Sequence, residues 1–183
     1  MVALLLVVVV SCGLLRVVRP AQRGVEAESL QLGDIIFVDL YDDWCHTGYW
    51  DHMAIYVGQQ PSVSIYPGLG VVESTFDTGV CFTPLGTFLE RDKPARMSVQ
   101  RLKDIPGRSE FVRRAIDYAT AQIGKPFDLT AVLGVPLKIN EGNLHCVEIV
   151  WAAFKAGGLN LDANAGLLLY PDDIYYSPKL EPS

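Results

Sequence analysis

A cysteine, a histidine and an acid stand where their chemistry could be used. Cys146 follows Asn143-Leu-His and opens a stretch of helical periodicity, so its thiol falls in the first turn of a helix. There the helix dipole and the free backbone N–H groups favour the thiolate, which is the nucleophilic form. The same N–H groups can donate to an oxyanion forming on an attacked carbonyl. The competing reading is a buried structural cysteine, because free cysteines are commonly buried.

A cysteine nucleophile needs a base, and the chain has three histidines, His46, His52 and His145. His145 adjoins Cys146, and neighbours on a helix point about 100° apart, so a direct in-line bond is disfavoured and a capping or exposed role fits better. His46 lies in a polar loop. His52 opens a strand, a rigid element on which a base can be held. A third group should orient the imidazole and stabilise its charged form. Glu73 is the lone acid in the apolar run Val71-Val-Glu-Ser-Thr-Phe76 and reaches His52 if the two strands are neighbours. Asp51 competes, but as the residue next to His52 it should point to the opposite strand face. A zinc site from Cys45, His46, His52 and Cys146 is conceivable, although the spacing fits no known ligand pattern. No metal or cofactor is expected.

The elements that must position these residues follow from pattern. Strands are expected at 35–38, 52–58, 71–76, 80–83 and 96–102, forming an antiparallel meander or small barrel. Phe111, Ala115, Tyr118, Ala119 and Ile123 then recur at helical steps, with Ser109 as N-cap and Gly124 as the stop. A second helix starts near Cys146, carries Val147, Val150, Trp151 and Phe154 on one stripe, and ends at Gly157-Gly158. The tail from Tyr170 to Pro178, with Asp172 and Asp173, reads as a structured turn. Strands first and helices later argue an α+β fold. The loop from Asp39 to Asp51, with Tyr41, Trp44, Tyr49 and Trp50, is expected to line a groove with aromatic walls.

The chain has 183 residues, half of them hydrophobic, and its mean hydropathy is +0.23. That excludes a disordered or collagen-like chain. With 15 basic and 21 acidic residues the net charge is −6, a poor match to a phosphate backbone, and no nucleic-acid partner is expected. The apolar excess is concentrated in Met1–Leu15. Residues 1–18 are expected to be a signal or anchor, 19–29 a linker, and 30–183 the folded domain. Val9-Val10-Ser11-Cys12 fits a lipobox, which would lipidate Cys12 and associate the protein with a membrane at the cell envelope. Arg16 and Arg19 would instead favour a cytoplasmic body if the run stayed as an uncleaved anchor. A mis-assigned start would also leave the domain cytoplasmic. Cys45 and Cys81 could pair in an oxidising compartment, but unrelated thiols are the preferred reading.

Several motifs together resemble a known superfamily. Leu32-Gly-Asp-Ile-Ile36, Trp50-Asp-His-Met-Ala-Ile-Tyr-Val-Gly58, and Val72-Glu-Ser74 with Gly79-Val80 resemble the permuted branch of the NlpC-type papain-like cysteine hydrolases, the YiiX-like group. Gly124-Lys-Pro-Phe-Asp128 resembles that group's Gly-x-Pro-Tyr-Asp segment, and His145-Cys-Val-Glu-Ile-Val150 its Tyr-Cys-Ser-Glu-Leu-Val helix start. The resemblance spans about residues 30–180. It implies a circularly permuted papain-like fold and a triad of Cys146 as nucleophile, His52 as base and Glu73 as orienting acid. Glu148 matches an acid two residues after the nucleophile and is expected to bond backbone at the helix start. His145 replaces the usual aromatic and Val147 the usual small hydroxyl residue, both near the oxyanion region, where they bear on substrate choice.

These features predict a cysteine hydrolase that cleaves an amide, of the cell-wall peptide type, through a thioester acyl-enzyme. The alternatives are a lipid-directed thiol acyl hydrolase or acyltransferase, and a non-catalytic binding domain on the same fold. The expected partner is a small peptide, amide or acyl substrate.

Overall fold

The computed structural model describes residues 25–39, 48–60, 68–91, 96–131, 136–138, 142–164 and 166–183. Expectations placed on Cys12, Arg16, Arg19, Tyr41, Trp44, Cys45 and His46 lie outside the described residues. Six strands form one antiparallel sheet: β1 (Ile35–Asp39), β2 (His52–Gln59), β3 (Leu69–Thr75), β4 (Gly79–Pro84), β5 (Arg96–Leu102) and β6 (Leu180–Pro182). Their order is β4-β3-β2-β1-β5-β6. The first four make a meander, as expected. β5 then returns to the free side of β1, and the tail adds β6 beyond it. The helices are α1 (Leu85–Arg91), α2 (Arg108–Ala121), α3 (Cys146–Ala156) and α4 (Pro171–Tyr175).

Both faces of the central strands are covered, which explains why β1 reads as an unbroken apolar run rather than an alternation. Ile35, Phe37, Met53, Ile55 and Val72 pack with Val112 and Ala115 of α2 and with Ile149, Val150 and Phe154 of α3. Ile36, Val38, Ala54, Tyr56 and Val71 pack on the other face with Leu85 and Phe88 of α1. Each large side chain buried in this way contributes about 1.5–3 kcal/mol.

The structure departs from the sequence reading in four places. Helix α1 and strand β6 were not anticipated, because each is too short to show a period. Gly107, not Ser109, is the N-cap of α2, and its φ of 81° is one that glycine adopts without strain. Trp50 does not wall a groove. It is fully buried, with ring centroids 5.9 Å from Phe37 and 5.2 Å from Tyr175, and Tyr49 packs beside it at 4.8 Å. A two-ring indole releases more free energy in that core than on an exposed loop.

Candidate active site

Each member of the predicted triad is fixed by its own element. Cys146 is the first residue of α3, capped by its neighbours. His145 Nδ1 accepts from the Val147 N–H at 3.2 Å, and Glu148 accepts from the His145 N–H at 3.1 Å. This capping box gives Glu148 the backbone-bonding place expected of it. It also makes His145 a buried cap, not an exposed residue.

The segment before Cys146 is docked onto the sheet. Leu144 N–H donates to the Pro126 carbonyl at 3.1 Å, and the Ser74 hydroxyl donates to the Leu144 carbonyl. Gly124-Lys-Pro is held in turn against β4, with Val80 N–H on the Lys125 carbonyl at 2.8 Å. Gly79 permits this approach: a Cβ there would stand 2.2 Å from the Lys125 carbonyl oxygen.

His52 and Glu73 follow the same alternation as Ala54, Tyr56 and Val71, so they share one face of adjacent strands. His52 Nε2 meets Glu73 Oε2 at 2.7 Å, and Glu73 has no exposed surface. The other imidazole nitrogen is left free of Glu73, and His52 and Cys146 lie close enough to perturb each other's ionisation. Thus the fold brings Cys146, His52 and Glu73 together, with His52 and Glu73 joined by a hydrogen bond. The Asp51 backbone N–H pairs with the Val38 carbonyl at 3.0 Å, which extends the β1–β2 pairing.

The electrostatics favour an ion pair. Burial alone would push the Cys146 thiol up, but the imidazoles of His145 and His52 bring it down to about 5. His145 is also committed to its cap. Nδ1 of His145 is already an acceptor, and its Nε2 faces Glu148 at 3.6 Å. Burial would lower His52, yet its bonds to Cys146 and Glu73 raise it to about 10. Burial would raise Glu73, and His52, Arg91 and Thr83 together hold it well below the usual carboxylate range. Thiolate and imidazolium therefore coexist across neutral pH. Glu148 behaves oppositely, since burial pushes it up to about 7.

Three residues around the triad escaped the sequence reading. Arg91 grips Glu73 with both terminal nitrogens, at 2.8 and 2.9 Å, and the Thr83 hydroxyl donates to Glu73 Oε1. Asp172 Oδ2 accepts from the Tyr49 and Trp50 N–H groups at 2.8 and 3.2 Å, anchoring the approach to His52. That clamp requires Gly48, where a Cβ would lie 2.3 Å from the Asp172 oxygen. Thr83 could have been found from alternation, since it lies two residues from Cys81, the register partner of Glu73. Arg91 sits in Leu-Glu-Arg-Asp, which shows no period, and Asp172 in a tail that reads only as a structured turn.

The family model for the permuted papain-like amidase enzymes, YaeF/YiiX, matches residues 29–170. The chain belongs to this family. A curated relative, the uncharacterized protein YycO of Bacillus subtilis (strain 168), is 24% identical over 143 residues, which is 78% of this chain and 51% of the relative. The chain thus spans about half the length of that relative. The crystal structure of the metalloprotein YiiX from Escherichia coli O157:H7 superposes with a TM-score of 0.61 and 17% identity, covering 84% of this chain and 96% of that one. The fold is accordingly the permuted papain-like one, with the histidine strand before the cysteine helix. Among the described residues of this chain, no group of three or more His, Cys, Asp or Glu is arranged to hold a metal ion. Cys45 and His46 of the conceivable zinc set lie outside the described residues. So does Cys45 of the conceivable disulfide, and Cys81 is a free thiol. Among the described residues no helix is long and apolar enough to cross a membrane.

Proposed function

We propose that this amidase-family protein is a cysteine hydrolase with Cys146 as nucleophile, His52 as acid and base, and Glu73 as the group that orients the imidazole. The observation that carries this reading is a helix-first thiol beside His52, whose Nε2 meets a fully buried carboxylate at 2.7 Å. The Cys146 thiolate attacks the amide carbon, and the Cys146 N–H donates to the oxyanion. Val147 N–H is already taken by His145, so it does not share that task. The His52 imidazolium then protonates the leaving amine, giving a thioester. Water, deprotonated by His52, attacks the thioester and regenerates the thiolate.

For the substrate we propose a cell-wall type peptide amide, with the apolar head Met1–Leu15 directing the domain to the envelope. Incubation with muropeptides and, separately, with lipid esters, read by mass spectrometry, tests both levels. Peptide cleavage that is lost in Cys146→Ala supports the proposal. Fatty-acid release without peptide cleavage replaces the substrate class. A Cys146 unreactive toward iodoacetamide in folded protein overturns the enzyme reading.

A further inference from the structure

Glu73 is a buried carboxylate whose oxygens are divided among three side chains. Oε2 faces His52 at 2.7 Å and also accepts from Arg91 Nη2 at 2.9 Å; Oε1 accepts from Arg91 Nη1 at 2.8 Å and from the Thr83 hydroxyl. A guanidinium fork matched to both oxygens fixes the plane of a carboxylate, which a point charge does not. Arg91 is itself held over the Phe88 ring at 5.4 Å, and Phe88 lies 6.3 Å from the His52 ring. Helix α1, which no triad member occupies, thus touches the site through both residues.

We propose that Arg91 is a positioning residue for the reaction: it fixes the Glu73 carboxylate toward His52 and supplies the cation that leaves the active thiolate–imidazolium state without net charge. This rests on the triad reading above. Four groups then alternate in sign: Cys146 thiolate, His52 imidazolium, Glu73 carboxylate and Arg91 guanidinium. The groups that face Glu73 are His52 from β2, Thr83 and the Cys81 thiol from β4, and Arg91 from α1. Cys146, with His145 and Glu148 behind it, approaches His52 from α3. Removing the one permanent cation leaves the cluster with a net charge of −1. Every nearby group then binds its proton more tightly, so the thiol ionises at higher pH.

The test is thiolate absorbance near 240 nm against pH, paired with iodoacetamide alkylation of Cys146, in a chain with Cys12, Cys45 and Cys81 replaced by serine (the wild-type background) and in its Arg91→Gln and Arg91→Lys variants. The expected result is an upward shift of the ionisation midpoint by roughly one pH unit in Arg91→Gln, and a return to within a few tenths in Arg91→Lys. An anchoring role for α1 alone would lower the melting temperature and leave the midpoint in place. If Arg91→Gln does not fold, Glu73→Gln against Glu73→Gln/Arg91→Gln reads the same upward shift without stranding a buried charge. An unmoved midpoint in either folded comparison overturns the role of Arg91 and leaves the triad intact. A wild-type midpoint near the ordinary 9.0 overturns the triad reading itself.

Discussion

His52→Ala separates the two imidazoles that flank the nucleophile. In the wild type the thiol ionises near pH 5, against an ordinary value of 9.0. With His52 removed, burial is opposed by His145 alone, and full loss of the depression would bring the midpoint back to about 9. At pH 7 the thiolate fraction would fall about 100-fold. Thiolate nucleophilicity rises with basicity, however, and four units at a Brønsted slope near 0.45 return about 60-fold. Alkylation at pH 7 should therefore change only about twofold, and a single neutral-pH measurement would mislead. At pH 5 the thiolate fraction differs about 5,000-fold, which leaves a net loss of about 80-fold. The assay is the iodoacetamide rate at Cys146 from pH 4 to 10, with Cys12, Cys45 and Cys81 replaced by serine so that Cys146 is the one thiol left. A His52→Ala midpoint that stays near 5 would refute the reasoning, because His145 and the helix terminus would then hold the thiolate without His52.

Three further outcomes are expected. Hydrolysis should follow a bell in kcat/KM with limbs near pH 5 and pH 10, set by protonation of the thiolate below and loss of the imidazolium proton above. Glu73→Gln should lower kcat by about 10²–10⁴ with little change in KM, and should move the alkaline limb to lower pH, since His52 loses its anion. Glu148 is raised in the folded state to about 7 from 4.5, so its contribution to stability is complete below pH 4.5 and is lost as pH rises to about 7. The melting temperature of Glu148→Gln, which keeps an acceptor for His145 N–H, should decline less than that of the wild type between pH 5 and 8. Equal declines would contradict the burial of an ionising Glu148.

Much of the site was legible in the chain because its signals are local. Helical periodicity starting at Cys146 and ending at Gly157 needs only the eleven residues of α3 and its flanks. His52 at a strand start and Glu73 in an apolar strand follow from alternation, and neighbouring strands in a meander put them side by side. The groove reading failed at Trp50 for the same reason that these succeeded, while Tyr41 and Trp44 lie outside the described residues. Aromatic content around Trp50 is local, but whether an indole faces solvent or a core depends on Phe37 and Tyr175, far away in sequence.

What the sequence by itself determined was which groups could do chemistry: a thiol at a helix start, one histidine on a rigid strand, and one acid on a neighbouring strand. Only the tertiary structure decided how that chemistry is tuned. Arg91 meets Glu73 across 18 residues, Thr83 across 10, and Asp172 grips the Tyr49 N–H across 123. The physical reason is that a charged residue in a short segment carries no periodic mark of its partner. Arg91 looks like surface charge until α1 folds back over the sheet and delivers its guanidinium to a carboxylate that has no water left to bind.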